Sequence, residues 1–333
     1  MPRRPPRAVA VFGTGRAGQH AIRMLLDDEM LDLRAVGTTD PAKDGVDAGV
    51  LAGVGETGHT AVHGLKPRDV GGEVDVILHC GAASRDELAD FFGDAAGSGI
   101  DVVSVSGGFH PRTAFGDATC AELAASAVAS GARLTGTGVN PGFLLDVLPW
   151  IVSSLVRAPA SVHARRTTDM KHWGSTMRAK IGFGDGPATH AVNDLLSLDE
   201  SLALLAESVG VEIAEMTIDV EDVVAGSARE VHGRRIERGE HCGFIQRATA
   251  TATGGRRLTL EWVAVLGLAE EDGVGDGTDV TVTDAAGRIV TAHVAGTHDR
   301  DAYPATVARA AHVATLIAGL PPGLYGANLQ PAA

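Results

Sequence analysis

Three glycines, one carboxylate and three nitrogen bases are the residues whose types and spacing suit chemistry. Gly13, Gly15 and Gly18 have the GxGxxG spacing. In that pattern the first glycine permits a tight turn, the second lets backbone approach a pyrophosphate, and the third lets a helix pack on a strand. Arg16 and Ala17 lie inside the same loop. Asp40 follows about twenty residues on, where a ribose-binding carboxylate belongs. Thr38, Thr39 and Lys43 around it would instead accommodate a 2′-phosphate, and Asp40 before Pro41 also suits a turn start, so NAD and NADP both stay open. His110 sits just after a strand's end and is a histidine, the residue type whose unperturbed pKa suits proton transfer near neutrality. Lys171 and His172 are two further proton-carrying groups on a polar stretch, Thr167 to Lys180. These three read as candidate catalytic residues, each against the plainer alternative of a solvated loop side chain. His190 reads as a surface or cap residue. His241-Cys242 lacks two further ligands at metal spacing, so no metal site is expected.

The flanking elements are what make the glycine pattern informative. Ala8 to Phe12 is a continuous apolar run, the mark of a buried parallel strand. Ala17, Ala21, Ile22, Leu25 and Leu26 then recur on one helical face, behind amides that would point at phosphate oxygens. Leu31 to Val36, Val74 to Leu78, Ile100 to Val105 and Ala132 to Thr135 read as further strands. Helical patterns with Leu88, Phe91 and Phe92, and over Ala121 to Ala129, alternate with them. Such βαβ alternation predicts a parallel sheet with helices on both faces, whose ligands sit beyond the carboxyl ends of the strands. The loops at Gly13, Thr38, His79-Cys80-Gly81, Ser104 to Ser106, and Asn140-Pro141-Gly142 should therefore line one crevice and bind the dinucleotide.

The second half has a different grammar. Leu144, Leu145, Leu148, Ile151, Val152 and Leu155 recur at helical spacing. Ser161 to Arg166 alternates like a strand with one wet face. A helix carries Leu195, Leu198, Leu202, Leu205 and Val209. Strand-like runs follow at Ile213 to Val224, Gly243 to Thr253, Leu258 to Leu266, Thr278 to Thr283 and Ile289 to Val294. Ala305 to Ala318 is helical again, with small residues that suggest close packing. The fold class expected is thus α/β, with an N-terminal Rossmann-type parallel sheet domain and a C-terminal α+β domain with an open mixed sheet. The expected boundaries are 1–145 for the dinucleotide domain, with 304–333 packing back on it, and 146–303 for a substrate and oligomerisation domain.

Composition bounds the rest. A chain of 333 residues, 44% hydrophobic and 21% charged, suits two soluble domains. A formal net charge of −14 argues against a nucleic-acid partner. No apolar run is long enough to span a membrane. Cys80, Cys120 and Cys242 are odd in number and form no CxxC pair, which fits a reducing, cytoplasmic setting. Arg3, Arg4 and Arg7 read as a disordered basic tail rather than a targeting signal. Trp173, Phe109, Phe143 and Trp150 are candidates for an apolar substrate wall.

Several stretches together resemble one family: GTGRAG at 13–18, Gly45 to Gly49 before Gly58, GTGVNPGF at 136–143 with Asp146 after it, Lys180 to Gly184, and Pro322-Gly323-Leu324. The pattern is similar to the 2,4-diaminopentanoate dehydrogenase and native amine dehydrogenase branch of the dihydrodipicolinate reductase-like proteins. The resemblance implies NAD(P)H as cofactor, a homodimer or larger, and reversible hydride transfer to the carbon of an imine in a small-molecule substrate. It also exposes a departure. In amine dehydrogenases of this kind, the loop matching the stretch after Val102 to Ser104 carries a glutamate that handles ammonia and imine. Here Ser104 to His110 has no carboxylate, and Lys171 to Thr176 only loosely echoes the lysine loop of dihydrodipicolinate reductases. The function expected is an amine dehydrogenase or imine reductase. A carbonyl reductase on the same scaffold, or a dinucleotide sensor without turnover, is the alternative. The Gly107-Gly108 pair is expected to widen the space beyond Ser106, so that His110 or the Lys171-His172 loop can reach substrate.

Overall fold

The computed structural model describes residues 5–174, 178–179, 181–183, 197–296 and 301–332. The chain divides into two compact units, one formed by Met1–Gly142 with Tyr303–Ala333, the other by Phe143–Ala302.

The first unit is a parallel sheet. Its strands are β1 (Arg7–Phe12), β2 (Leu31–Thr38), β3 (Ala61–His63), β4 (Val76–His79), β5 (Asp101–Ser104) and β6 (Arg133–Gly136). The helices between them are α1 (Arg16–Leu26), α2 (Ala48–Ala52), α3 (Arg85–Gly97) and α4 (Pro111–Ser130). After the second unit the chain returns with α7 (Ala302–Leu316) and a seventh strand, β15 (Gly323–Tyr325). The spatial order β15-β6-β5-β4-β1-β2-β3 reverses direction beside β1, where ligands of open α/β sheets bind. β1 is apolar throughout because both faces are covered. On one side Val9 and Val11 pack with Ile22 and Leu25 of α1 and with Val307, Ala310 and Ala314 of α7. On the other, Ala10 and Phe12 pack with Leu88 and Phe92 of α3. Each such buried Leu, Ile or Phe contributes roughly 1.5–3 kcal/mol.

Arg7 is no tail residue. It begins β1 and reaches the buried Asp101 carboxylate at 2.6 Å, which also takes the Arg133 backbone N–H at 2.7 Å. A carboxylate at the amino end of the sheet needs such partners to stay charged away from water. Arg3 and Arg4 lie outside the described residues. The helix expected over Ala121 to Ala129 starts earlier, at Pro111, and is interrupted at Gly116, whose φ of 79° is not helical.

The Gly45 to Gly49 stretch proves to be a structural knot. Asp47 caps α2, accepting N–H bonds from Gly49 (2.7 Å), Val50 (3.3 Å), Thr57 (3.0 Å) and Gly58 (2.8 Å). Desolvation pushes its carboxyl up, and these four donors more than offset it, so it lies below the usual carboxylate range.

The second unit begins with α5 (Val147–Ser153), capped by Asp146, which also accepts the Ser201 hydroxyl at 2.8 Å. That cap explains why the helical spacing from Leu144 yields helix only from Val147. Its strands are β7 (Pro159–Asp169), β8 (Ile213–Val224), β9 (Arg229–Val231), β10 (Arg234–Ile236), β11 (His241–Ala252), β12 (Arg257–Val265), β13 (Thr278–Asp284) and β14 (Ile289–Val294), with α6 (Leu198–Ser208) between β7 and β8. The six-stranded sheet runs β14-β13-β7-β12-β11-β8 and is mixed, since β7 and β12 are parallel while the other pairs are antiparallel. One face packs Val162, Ala164, Leu260 and Phe244 in a core with Leu202 and Leu205 of α6. On the other face, Glu261 is bound by Arg247 at 2.6 Å, His163 at 3.1 Å and Arg165 at 3.3 Å. Burial pushes the Glu261 carboxyl up, and the Arg247 and His163 bonds outweigh it, leaving the group below its ordinary value. The short β9–β10 hairpin, turning through His232 (φ 54°) and Gly233 (φ 73°), is not among the strands the sequence predicts. Ser175, Thr176, Lys180, Gly184, His190 and Leu195 fall outside the described residues.

Candidate functional site

At the carboxyl ends of the parallel strands the predicted loops are stitched together. Gly13 donates its N–H to Gly37 O at 2.9 Å, and the Thr14 and Thr38 hydroxyls meet at 2.9 Å. A Cβ on Gly13 would lie 2.5 Å from Gly81 N, so the first glycine is required for two loops to touch. Cys80 N–H donates to Phe12 O at 2.7 Å, and the Ser106 hydroxyl donates to Gly81 O. Thr137 N–H reaches Ser104 O at 2.8 Å, and Val139 N–H reaches the Thr306 hydroxyl of α7 at 3.4 Å. The residues Gly13 to Gly18, Thr38, His79 to Gly81, Ser104, Ser106 and Asn140 to Gly142 thus occupy one end of one sheet.

Two glycines of the fingerprint have opposite reasons for being there. A Cβ on Gly18 would stand 1.7 Å from Gly13 O, so the third glycine serves the helix–strand contact. A Cβ on Gly15 would meet no atom within 4 Å. Among the described residues nothing forbids a side chain at Gly15, which precedes the amino end of α1 and offers no side-chain cap to it. Open space beside uncapped helix amides is where an anion binds. Arg16 opens that helix with its guanidinium over the Tyr303 ring, 5.0 Å from the centroid.

Asn140 carries the second sign of a ligand. Among the described residues, both its amide nitrogen and its amide oxygen are buried without a hydrogen-bond partner. Leaving a buried polar group unmet costs about 1–3 kcal/mol, and native structures reserve such groups for function or for a molecule that completes them. The glycines around it serve the loop: Gly142 has φ 109° and a Cβ there would come 2.4 Å from Gly138 N. The residues fit a nicotinamide dinucleotide, with a phosphate cradle at Gly15 and an amide awaiting partners at the sheet's carboxyl edge.

His79 lies between these two places. Burial pushes its imidazole down to about 4, so it is neutral at physiological pH. Its Nδ1 is 3.1 Å from the Ser104 hydroxyl, which accepts the Ser106 N–H at 3.1 Å, and its ring tilts against Phe91 at 4.6 Å. Neighbouring Cys80 is buried, its thiol pushed up to about 12, and is therefore an unreactive packing residue.

The predicted proton carriers have structural duties. His110 caps α4, its Nδ1 accepting the Thr113 N–H at 3.3 Å and lying 2.8 Å from the Thr113 hydroxyl. Lys171 sits in a tight turn directly after β7, its ammonium 3.3 Å from the buried Asp169 carboxylate, which also takes the Lys171 N–H at 3.0 Å and the Gly267 N–H at 2.9 Å. His172 follows in that turn. Lys171 and His172 belong to the second unit and His110 to the first. Gly107 and Gly108 do not widen a space. A Cβ on Gly107 would be 3.0 Å from Leu88, and one on Gly108, at φ 74°, 3.3 Å from Phe115. The pair lets the loop press on the α3–α4 core. Phe109 is buried in the first unit, while Trp173 packs edge-on against Trp262 in the second.

Among the described residues no group of three His, Cys, Asp or Glu side chains is placed to hold a metal, and no helix is long and apolar enough to cross a membrane. The three cysteines are free and buried.

A parallel sheet with its fingerprint loop at the switch of strand order, followed by a mixed-sheet unit, defines a Rossmann-type two-unit fold. Residues 143–316, just over half of the chain, match the 2,4-diaminopentanoate dehydrogenase C-terminal domain, and the chain belongs to that family. It is 29% identical over 227 residues to an amine dehydrogenase of Streptomyces virginiae, a match covering 63% of this chain and 61% of that relative's length. The amine dehydrogenase structure of Mycobacterium smegmatis superposes with a TM-score of 0.74 at 17% identity, covering 98% of this chain and 96% of the other. The biliverdin reductase of Synechocystis sp., solved with biliverdin and NADP+, gives a TM-score of 0.55 at 12% identity over 97% and 95% of the two chains. At these identities the structural likenesses establish the fold.

Proposed function

We propose that this chain is an NAD(P)-dependent oxidoreductase that moves a hydride between the nicotinamide and the amine or imine carbon of a small molecule. The observation that carries the dinucleotide half is the orphaned Asn140 amide at the sheet edge that also holds the open Gly15 cradle. Family membership carries the amine half. When bound, the nicotinamide supplies the hydride acceptor or donor. The protein's own part is to bind the pyrophosphate on the α1 amides, to orient the nicotinamide through Asn140, and to keep a neutral imidazole, His79, at the floor.

The carbonyl-reductase reading keeps one observation in its favour, the absence of any carboxylate from Ser104 to His110. A panel of primary amines, and of ketones with and without ammonia, assayed with both cofactors, separates the readings. We expect dinucleotide reduction with amines, and ketone reduction only with ammonia present. Turnover of a plain ketone without any amine source overturns the imine assignment. Asn140→Ala should weaken dinucleotide binding by about 10-fold or more, the worth of a buried amide's hydrogen bonds. It should not lower the unfolding midpoint of the ligand-free chain, because it deletes groups that have no partner there.

A further inference from the structure

Granting that the first unit binds a nicotinamide dinucleotide, we infer that it selects the 2′-phosphorylated form, NADP(H), and that Lys43 with the exposed Thr39 hydroxyl is what reads the phosphate. The carboxylate near the end of β2, Asp40, has one oxygen committed to its own turn. In NAD-binding folds of this kind a carboxylate at the end of the second strand hydrogen-bonds the ribose 2′-OH. Asp40 stands two residues beyond the end of β2, and its Oδ1 accepts the Ala42 N–H at 3.0 Å to start the Pro41–Lys43 turn. Its Oδ2 faces the Lys43 ammonium at 3.7 Å. The last residue of β2 is Thr38, a neutral side chain, and its hydroxyl takes the Asp40 N–H at 3.2 Å and meets the Thr14 hydroxyl at 2.9 Å.

Lys43 closes the gap between strand end and fingerprint. Its ammonium donates to Thr14 O, inside the GTGRAG loop, at 3.3 Å, which sets a positive charge between the loop that takes the pyrophosphate and the strand end that takes the ribose. An ammonium has three donors. One is used on Thr14 O and one points toward Asp40, so a third remains. Its side chain is 30% exposed, so it is anchored yet reachable. Beside it the exposed Thr39 adds a hydroxyl with no acid attached. On a chain of net charge −14 a local cation at this point is the feature that would favour a dianionic substituent over a bare hydroxyl.

Two titrations test this. Calorimetry compares 2′,5′-ADP with ADP, fragments that probe this corner without the nicotinamide, and fluorescence titration compares NADPH with NADH. We expect the phosphorylated member of each pair to bind about 10–100-fold tighter, the strength of one charge-assisted contact, with the margin shrinking as salt rises. Lys43→Met should abolish the margin and leave ADP and NADH unchanged. Asp40→Asn should leave NADPH binding equal or stronger, since it removes a like charge. Equal binding of NADH and NADPH by the parent, or a Lys43→Met loss that falls equally on both, overturns the inference while the dinucleotide reading stands. Failure of every one of these ligands to bind overturns both.

Discussion

The buried imidazole of His79 makes the residue-scale chemistry testable by pH alone. Burial holds it near 4 in the folded chain against about 6.5 when exposed. Between those values the unfolded chain binds the extra proton, so stability rises with pH across that window. The contribution is complete above about pH 6.5, is lost as pH falls toward 4, and amounts to roughly 3 kcal/mol. Urea unfolding of the parent should therefore show a midpoint that falls steadily from pH 7 to pH 4. His79→Gln should flatten that slope, and a variant with the parent's slope would put the titrating group elsewhere. At this scale the loops are legible in the sequence. GxGxxG and NPG name their own loops because few residue types meet the conformational demands placed on them. What stayed hidden was how side chains share duties. Nothing in the sequence says that Asp40 spends an oxygen on a turn, that His110 caps a helix, or that Gly107 and Gly108 yield to Leu88 and Phe115. Those outcomes depend on neighbours brought from elsewhere in the chain.

At the scale of elements, the strand–turn–helix at 7–26 divides into a part that serves packing and a part that borders open space. Gly18→Ala should lower the unfolding temperature sharply or abolish soluble expression, since the methyl would need to occupy the space of Gly13 O at 1.7 Å. Gly15→Val should leave the unfolding temperature near the parent's and remove dinucleotide binding, its side chain entering space that no protein atom fills. A Gly15→Val protein that binds as the parent does would show that the cradle lies elsewhere. The strands of both sheets were readable from period and apolar runs, Ile213–Val224 and Ile289–Val294 to the residue. The exceptions are the three-residue strands β3, β9, β10 and β15. A strand that short has too few positions to show a period, and its pairing is decided by the sheet it joins.

On the scale of the whole molecule, the first unit is completed by residues that follow the second in sequence. Val307, Ala310 and Ala314 of α7 cover the face of β1, and β15 pairs with β6. This arrangement has a consequence for synthesis. When the ribosome has made residues 1–142, the core beneath the fingerprint still lacks one wall, and that wall comes only after the whole of Phe143–Ala302 has been made. At the usual pace of roughly 5–20 residues per second, the gap lasts on the order of ten to forty seconds. Through that interval the nascent chain exposes the apolar side of its central strand, so chaperone demand should peak before the last helix emerges rather than at the end of the first unit. Chains stalled at Ala302 should accordingly be cut by protease within residues 7–136, and chains stalled beyond the emergence of Tyr325 should resist. Early resistance at the first stall would mean that the sheet closes without its final helix. The proposed dinucleotide site therefore gains its covering wall only once Tyr303 and the residues of α7 have been made.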